Sequence, residues 1–183
     1  MAEILIDYVR EEYEDAVLES HSRLGNDTVV VDKDAVPDVI QFLKEDDRCK
    51  MNLLRQISCV DYDNRHPRFE VVYVLYSLQH KHMLLVRAPV PEDDCEVPTI
   101  SHLYRTAGWL EREVWDMYGV TFEGHPDLRR VMMYEEFEGH PLRKDYDKQD
   151  GQPRTEFLGR ERDSVEEFNI YVKDRDAAGS RDE

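Results

Sequence analysis

The chain has 183 residues, with 41 acids against 24 lysines and arginines, a formal net charge of -17 at pH 7. That excess argues against nucleic acid and anionic lipid as partners, and its plainest reading is a solvated surface. The longest apolar run, 71–76, is far too short to span a membrane.

The chain is long enough for one domain with an extension, or at most two small domains. Residues 2–24 begin as a helix, with Ile4, Leu5, Tyr8, Val9 and Tyr13 on one face. No basic segment precedes an apolar stretch there, so a signal peptide is not expected. Gly25-Asn26-Asp27 is a turn, and 28–31 is a short β-branched strand. Asp34 is placed to cap a helix over 36–45, with Pro37 in its first turn and Val36, Val39, Ile40 and Leu43 as its buried stripe. Three strands follow, at 52–60, 69–78 and 82–90, separated by a polar loop at 61–67 and a turn at 79–81. The apolar run in the second predicts a central strand covered on both faces. This order predicts an α+β fold: a mixed β-sheet with helices packed on one face, then an extended irregular C-terminal arm.

A proline-bearing connector over 88–98 leads to Thr99, which is placed to cap a helix over 100–118 that stops at Gly119. Ile100, Leu103, Ala107, Leu110, Val114 and Met117 form its core stripe. Tyr104, Gly108, Trp115 and Tyr118 form an adjacent row, and Glu111 falls inside that row. A carboxylate there is partly buried and needs a cation or donors. The pentapeptide Phe-Glu-Gly-His-Pro then occurs twice, at 122–126 and 137–141. Arg129-Arg130 follows the first copy and Arg143-Lys144-Asp145 the second. The glycines permit a turn and the prolines stiffen it, which predicts a rigid arm presenting cations and aromatics. Beyond it, 161–183 holds eight acids against four bases, with one short edge strand over 168–172 and disorder expected from 174. The expected division is an α+β domain over 1–120, a partner-binding arm over 121–160 and an acidic, partly disordered tail over 161–183.

Chemistry-bearing motifs are few. Cys49, Cys59 and Cys95 are widely spaced and form no Cys-x-x-Cys pair, which fits a reducing compartment and supports neither a zinc ribbon nor a Cys-ligated cluster. His125 and His140 could bind a metal and make the chain a stand-alone metal-dependent hydrolase, but spacing places no third ligand. The plainer reading is that each imidazole closes its own turn. Glu111, Glu113 and Asp116 could be general acids or bases; the plainer reading pairs them with Arg129, Arg130, Arg143 and Lys144, clamping the arm to the helix. Asp61 and Asp63 read as turn residues. There is no phosphate loop and no nucleophile motif. The residues by themselves describe a cofactor-free interaction module, with no catalytic, cofactor-binding or metal residue expected.

Glu111-Arg112-Glu113, then Asp116-Met117-Tyr118, His125, Arg129 and Val131-Met132, resembles the signature of the C-type subunit of respiratory complex I, NADH-quinone oxidoreductase. Gly139-His140-Pro141-Leu142-Arg143-Lys144-Asp145 resembles a second motif of that family, and over 60–78 Asp61 and the run Arg68-Phe69-Glu70-Val71-Val72-Tyr73 more softly resemble its strand pair. The resemblance implies a peripheral subunit with no cofactor of its own, on the cytoplasmic side of the cell inner membrane. It implies that this subunit braces the large D-type subunit near the quinone-proximal cluster. FMN and iron–sulfur clusters would sit on partner subunits, and the whole complex would couple NADH–quinone electron transfer to proton pumping. Glu111, Arg112, Glu113, Asp116, His125, Arg129, Arg130, His140, Arg143, Lys144 and Asp145 carry over as signature and interface residues. One departure is Tyr146-Asp147, where the family commonly has Phe-Pro. The corresponding subunit of membrane-bound nickel–iron hydrogenases and F420-linked dehydrogenases has similar motifs and stands as the alternative.

Overall fold

A computed structural model describes residues 3–23, 25–147 and 152. The strand expected over 168–172 and the acidic tail lie outside the described residues. Helix α1 (Glu3–Glu12) leads through a single 3-10 turn into strand β1 (Val17–Arg23), which turns back as β2 (Asn26–Val31). Helix α2 (Val36–Glu45) is followed by the meander β3 (Leu53–Asp61), β4 (Phe69–Ser77) and β5 (His82–Val90). Short β6 (Glu96–Pro98), helix α3 (Ala107–Tyr118) and short β7 (Thr121–Glu123) complete the regular elements.

The main sheet runs β1-β2-β5-β4-β3. It is mixed, because β2 lies parallel to β5 while the other pairs are antiparallel. β5 is therefore the middle strand, with β4 beside it. The prediction that β4 is covered on both faces does not hold. Its residues alternate buried and half-buried along the whole strand. Phe69, Val71, Tyr73 and Leu75 enter the core, whereas Val72 and Val74 are half-buried beside their cross-strand neighbours, Ser58 and Gln56 on β3, Arg87 and Leu85 on β5. Against the packed face lie Leu5 and Val9 of α1, Val36, Val39, Ile40 and Leu43 of α2, and Ala107 and Val114 of α3, all in one core. The α+β class with helices on one face is the architecture found.

Two helix starts differ from expectation, each for its own reason. Asp34 does not cap α2. Asp32 accepts from the Asp34 N–H at 3.0 Å and starts a 3-10 turn, Lys33–Ala35, that runs into the helix. Thr99 does not cap α3, because its hydroxyl faces the Glu111 carboxyl at 2.5 Å. The chain from 100 to 106 is instead a series of turns. They are held where the Tyr104 hydroxyl donates to the Met51 carbonyl and the Lys44 ammonium donates to the Leu103 carbonyl at 2.6 Å. Strand β1 is not expected from the sequence at all: it is an edge strand with a bulge near Val17, and Leu18 is exposed.

Gly119 ends α3 at φ +78°, as expected of a glycine stop. After β7 the chain runs from 124 to 147 without helix or strand. The irregular arm folds back along α3 and reaches the sheet.

Candidate docking site on the third helix

The arm is pinned at three places. The first is Asp116, wholly buried on α3. One carboxylate oxygen accepts from the Arg130 guanidinium at 2.6 Å. The other accepts from three consecutive backbone N–H groups: Val131 at 3.0 Å, Met132 at 2.8 Å and Met133 at 3.0 Å. Burial alone would raise the Asp116 carboxyl, but the Met133 N–H, Arg130 and the other two N–H groups outweigh it and hold it below the usual carboxylate range. Arg112, one helical turn back, donates to the Arg129 carbonyl at 3.1 Å and the Arg130 carbonyl at 3.2 Å.

The second pin is the C-terminus of α3. The last carbonyls of a helix have no partner within it. Here the Asp116 carbonyl accepts from His140 Nδ1 at 3.1 Å, Met117 from the Leu142 N–H at 3.0 Å, and Tyr118 from Arg143 Nε at 2.6 Å. A cationic donor is also favourable at this negative pole. The approach is so close that a Cβ on Gly119 would lie 2.6 Å from the His140 ring.

The third pin joins the end of the arm to the sheet. The Lys144 N–H donates to Asp61 at 2.8 Å, and the Asp145 carboxylate pairs with Arg68 at 2.9 Å. Arg68, 7% exposed, also holds Asp61 through two bonds at 2.9 and 3.0 Å and Glu92 at 2.6 Å. Arg68 is the leading cause that depresses the Asp61 and Asp145 carboxyls.

The expected pairing of three carboxylates with four cations therefore holds only at Asp116–Arg130. Arg129 is exposed and pairs with exposed Asp127 at 3.0 Å. Arg143 is spent on a backbone oxygen, Lys144 contributes its N–H, and Glu113 makes no ion pair among the described residues. Glu111 faces away from the arginines. His125 does accept from the Asp127 N–H at 3.0 Å, closing its turn, but its Nε2 also donates to the Gly108 carbonyl at 3.0 Å. The two imidazoles thus bind carbonyls eight residues apart on α3. That is about 12 Å along a helix, too far to share one metal ion.

These pins leave an apolar strip uncovered among the described residues. Trp109 is 63% exposed, with its ring over the Arg112 guanidinium at 4.9 Å. Met132 and Leu142 are also mostly exposed, and Val131 partly so. Tryptophan, methionine and arginine are the residue types enriched at protein interfaces.

Residues 29–152 match the family model described as respiratory-chain NADH dehydrogenase, 30 Kd subunit. The chain belongs to that family. The C-type subunit of the NADH-quinone oxidoreductase of Geotalea uraniireducens is 44% identical over 152 residues, spanning 83% of this chain and 91% of that protein. Its counterpart in Geobacter sulfurreducens is 43% identical over 153 residues, with 83% and 93% covered. Among solved structures, the trypsin-resistant fragment (1-134) of Nqo5 matches with TM-score 0.59 at 35% identity, covering 68% of this chain and all of the fragment. A chain of the membrane-bound sulfane sulfur reductase, an archaeal respiratory membrane complex, matches with TM-score 0.69 at 27% identity over 80% of this chain. The family found is the one that the motifs over 111–145 resemble. No described helix is long and apolar enough to cross a membrane.

Glu92 carries no signal in the sequence, while Asp61 and Arg68 stand out there only through the softer family resemblance over 60–78, with no hint that they pair. Asp61, Arg68, Glu92 and Asp145 are dispersed along the chain, so no spacing rule connects them. Arg112 does leave a trace: it follows Glu111 on the buried side of a helix, where an arginine needs acceptors.

Proposed function

We propose that the chain is the cofactor-free C-type subunit in the peripheral arm of an NADH:quinone oxidoreductase, bracing the D-type subunit near the quinone-proximal cluster. In this reading the FMN and iron–sulfur clusters sit on other subunits. The assembled complex carries electrons from NADH to quinone and pumps protons, with this chain on the cytoplasmic side of the inner membrane. The carrying observation is the exposed strip on α3 and the arm. The arm is pinned to α3 and the sheet by its own polar groups, which leaves Trp109, Met132, Leu142 and Arg129 exposed; beside them, among the described residues, lie the Arg112 guanidinium under the Trp109 ring and the solvated Arg129–Asp127 pair. A segment ordered beforehand loses less entropy on docking, so it makes an efficient interface.

The test is incorporation. Trp109→Ser and Arg129→Ala are each introduced, the melting of the full chain is measured, and the amount carried into the purified complex is quantified. Arg129 in its solvated pair contributes about 1 kcal/mol or less to folding. Both variants therefore melt close to the parent. Trp109→Ser loses about 2 kcal/mol or more of binding, the scale of an interface anchor, and NADH-quinone activity falls with incorporation. Parent-like incorporation of both variants would remove the strip from the interface. The likeness to the sulfane sulfur reductase complex favours one second reading, the equivalent subunit of a related membrane oxidoreductase. The proteins that co-purify with the chain decide between the two.

A further inference from the structure

Two carboxyls on α3 are wholly buried, Glu111 and Asp116, and their surroundings are opposite. Asp116 has four donors, one of them a guanidinium. Glu111 has two neighbours in bonding position: the Ile100 N–H at 2.8 Å on one oxygen and the Thr99 hydroxyl at 2.5 Å on the other. No arginine or lysine pairs with it among the described residues. His125 Nε2 lies 3.8 Å away, but its hydrogen is directed to the Gly108 carbonyl. Its Nδ1 accepts from the Asp127 N–H. One nitrogen donating and the other accepting is the pattern of the neutral ring. From β4, the Tyr73 hydroxyl is buried with no hydrogen-bond partner among the described residues and feels the charges of Glu111 and of Cys59 on β3; His102 is the further titratable group that acts on this carboxyl. An ionised carboxylate buried with two donors and no cation is costly, whereas a carboxylic acid is content with one donor and one acceptor. Thr99 can supply the acceptor while it donates to Ser101 Oγ at 2.9 Å.

We propose that Glu111 is a proton-binding site: it holds a proton as the neutral acid while the first turn of the arm is seated on α3, and gives it up to solvent when that joint opens. The joint consists of Glu111 and Gly108 on α3, Thr99 and Ile100 ahead of the helix, and His125 on the arm. The proton sits between Glu111 Oε2 and Thr99 Oγ1. Burial raises the Glu111 carboxyl above its ordinary value despite Thr99 and Ile100, in the opposite direction to Asp116. A carboxyl raised on folding contributes stability that is complete below its unfolded value and is lost as pH rises through its folded value. The joint therefore loosens toward alkaline pH.

Glu111→Gln tests this directly, because the amide, like the neutral acid, is uncharged and presents a donor on one side and an acceptor on the other, with one further N–H. The full chain is studied by infrared spectroscopy at neutral pH. The parent shows the band of a protonated carboxyl, shifted in heavy water; Glu111→Gln lacks it, and Thr99→Val moves it without abolishing it. On raising the pH from about 6 to about 9, the parent's melting temperature falls relative to Glu111→Gln by at least about 2 °C. Absence of a protonated-carboxyl band in the parent overturns the proposal, as do parallel melting curves. If Glu111→Gln does not fold, the band in the parent and its shift in Thr99→Val decide alone.

Discussion

Asp116→Asn isolates the pin on which the arm depends. The substitution keeps the shape and removes the charge. Hydrogen bonds to a charged group contribute about 1.5–3 kcal/mol each, and Asp116 makes four. The amide cannot replace them, because one of its ends is itself a donor. Turned toward Arg130, its NH₂ meets a guanidinium; turned the other way, it meets three backbone N–H groups. Breaking a buried pair from one side costs about 3–5 kcal/mol. The full sum is not reached, because the arm can detach and hydrate its donors while the sheet stays folded. We therefore expect about 3 kcal/mol in the seating of the arm, or roughly a hundredfold in its opening equilibrium. Amide hydrogen exchange reads this locally. The N–H groups of Val131, Met132 and Met133 should exchange about a hundredfold faster, while those of β4 and β5 are unchanged. An acceleration below about fivefold, near 1 kcal/mol, would refute the assignment of Asp116 as the pin.

Gly119→Ala and Gly25→Ala share a positive φ, +78° and +77°, but only the first would collide with a neighbour. Gly25→Ala should cost the left-handed strain of about 1–2 kcal/mol, and Gly119→Ala clearly more, as comparison of the two melting temperatures will show. At acid pH the clasp at Arg68 opens. Asp61 and Asp145 are depressed, so their stabilisation is complete above the ordinary carboxylate value of about 3.9 and is lost as pH falls through their folded values. Asp61→Asn should be less stable at neutral pH yet lose less than the parent between about pH 5 and about pH 2, measured by thermal melting; an unchanged acid limb would count against the clasp.

The residues that follow a short-range rule were legible. Helix α2 has the expected bounds, and the strands of the meander are displaced by a residue at most, because alternation and turn residues lie within each segment. What escaped depends on distant partners. Helix α3 begins at Ala107 because Glu111 takes the Thr99 hydroxyl, twelve residues away. Strand β1 escaped because Leu18, Glu19, Ser20 and His21 show no alternation, and an edge strand need not. In the candidate site, Asp116 with Arg130 and the burial of Glu111 were foreseeable from the helix pattern. The use of Arg112 and Arg143 on backbone carbonyls, and of the Lys144 main-chain N–H on Asp61, was not, since main-chain partners leave no mark on a sequence. The Asp145–Arg68 contact spans 77 residues, and nothing local encodes it.

The sealed end of α3 also sets an order of events during synthesis. The carbonyls of Asp116, Met117 and Tyr118 receive their donors from His140, Leu142 and Arg143, residues made later. A nascent chain halted just past Gly119 holds that helix end open to water. Its lower pole is closed only after Arg143 has left the ribosome, so the emerging domain remains unfinished for at least that further stretch of translation.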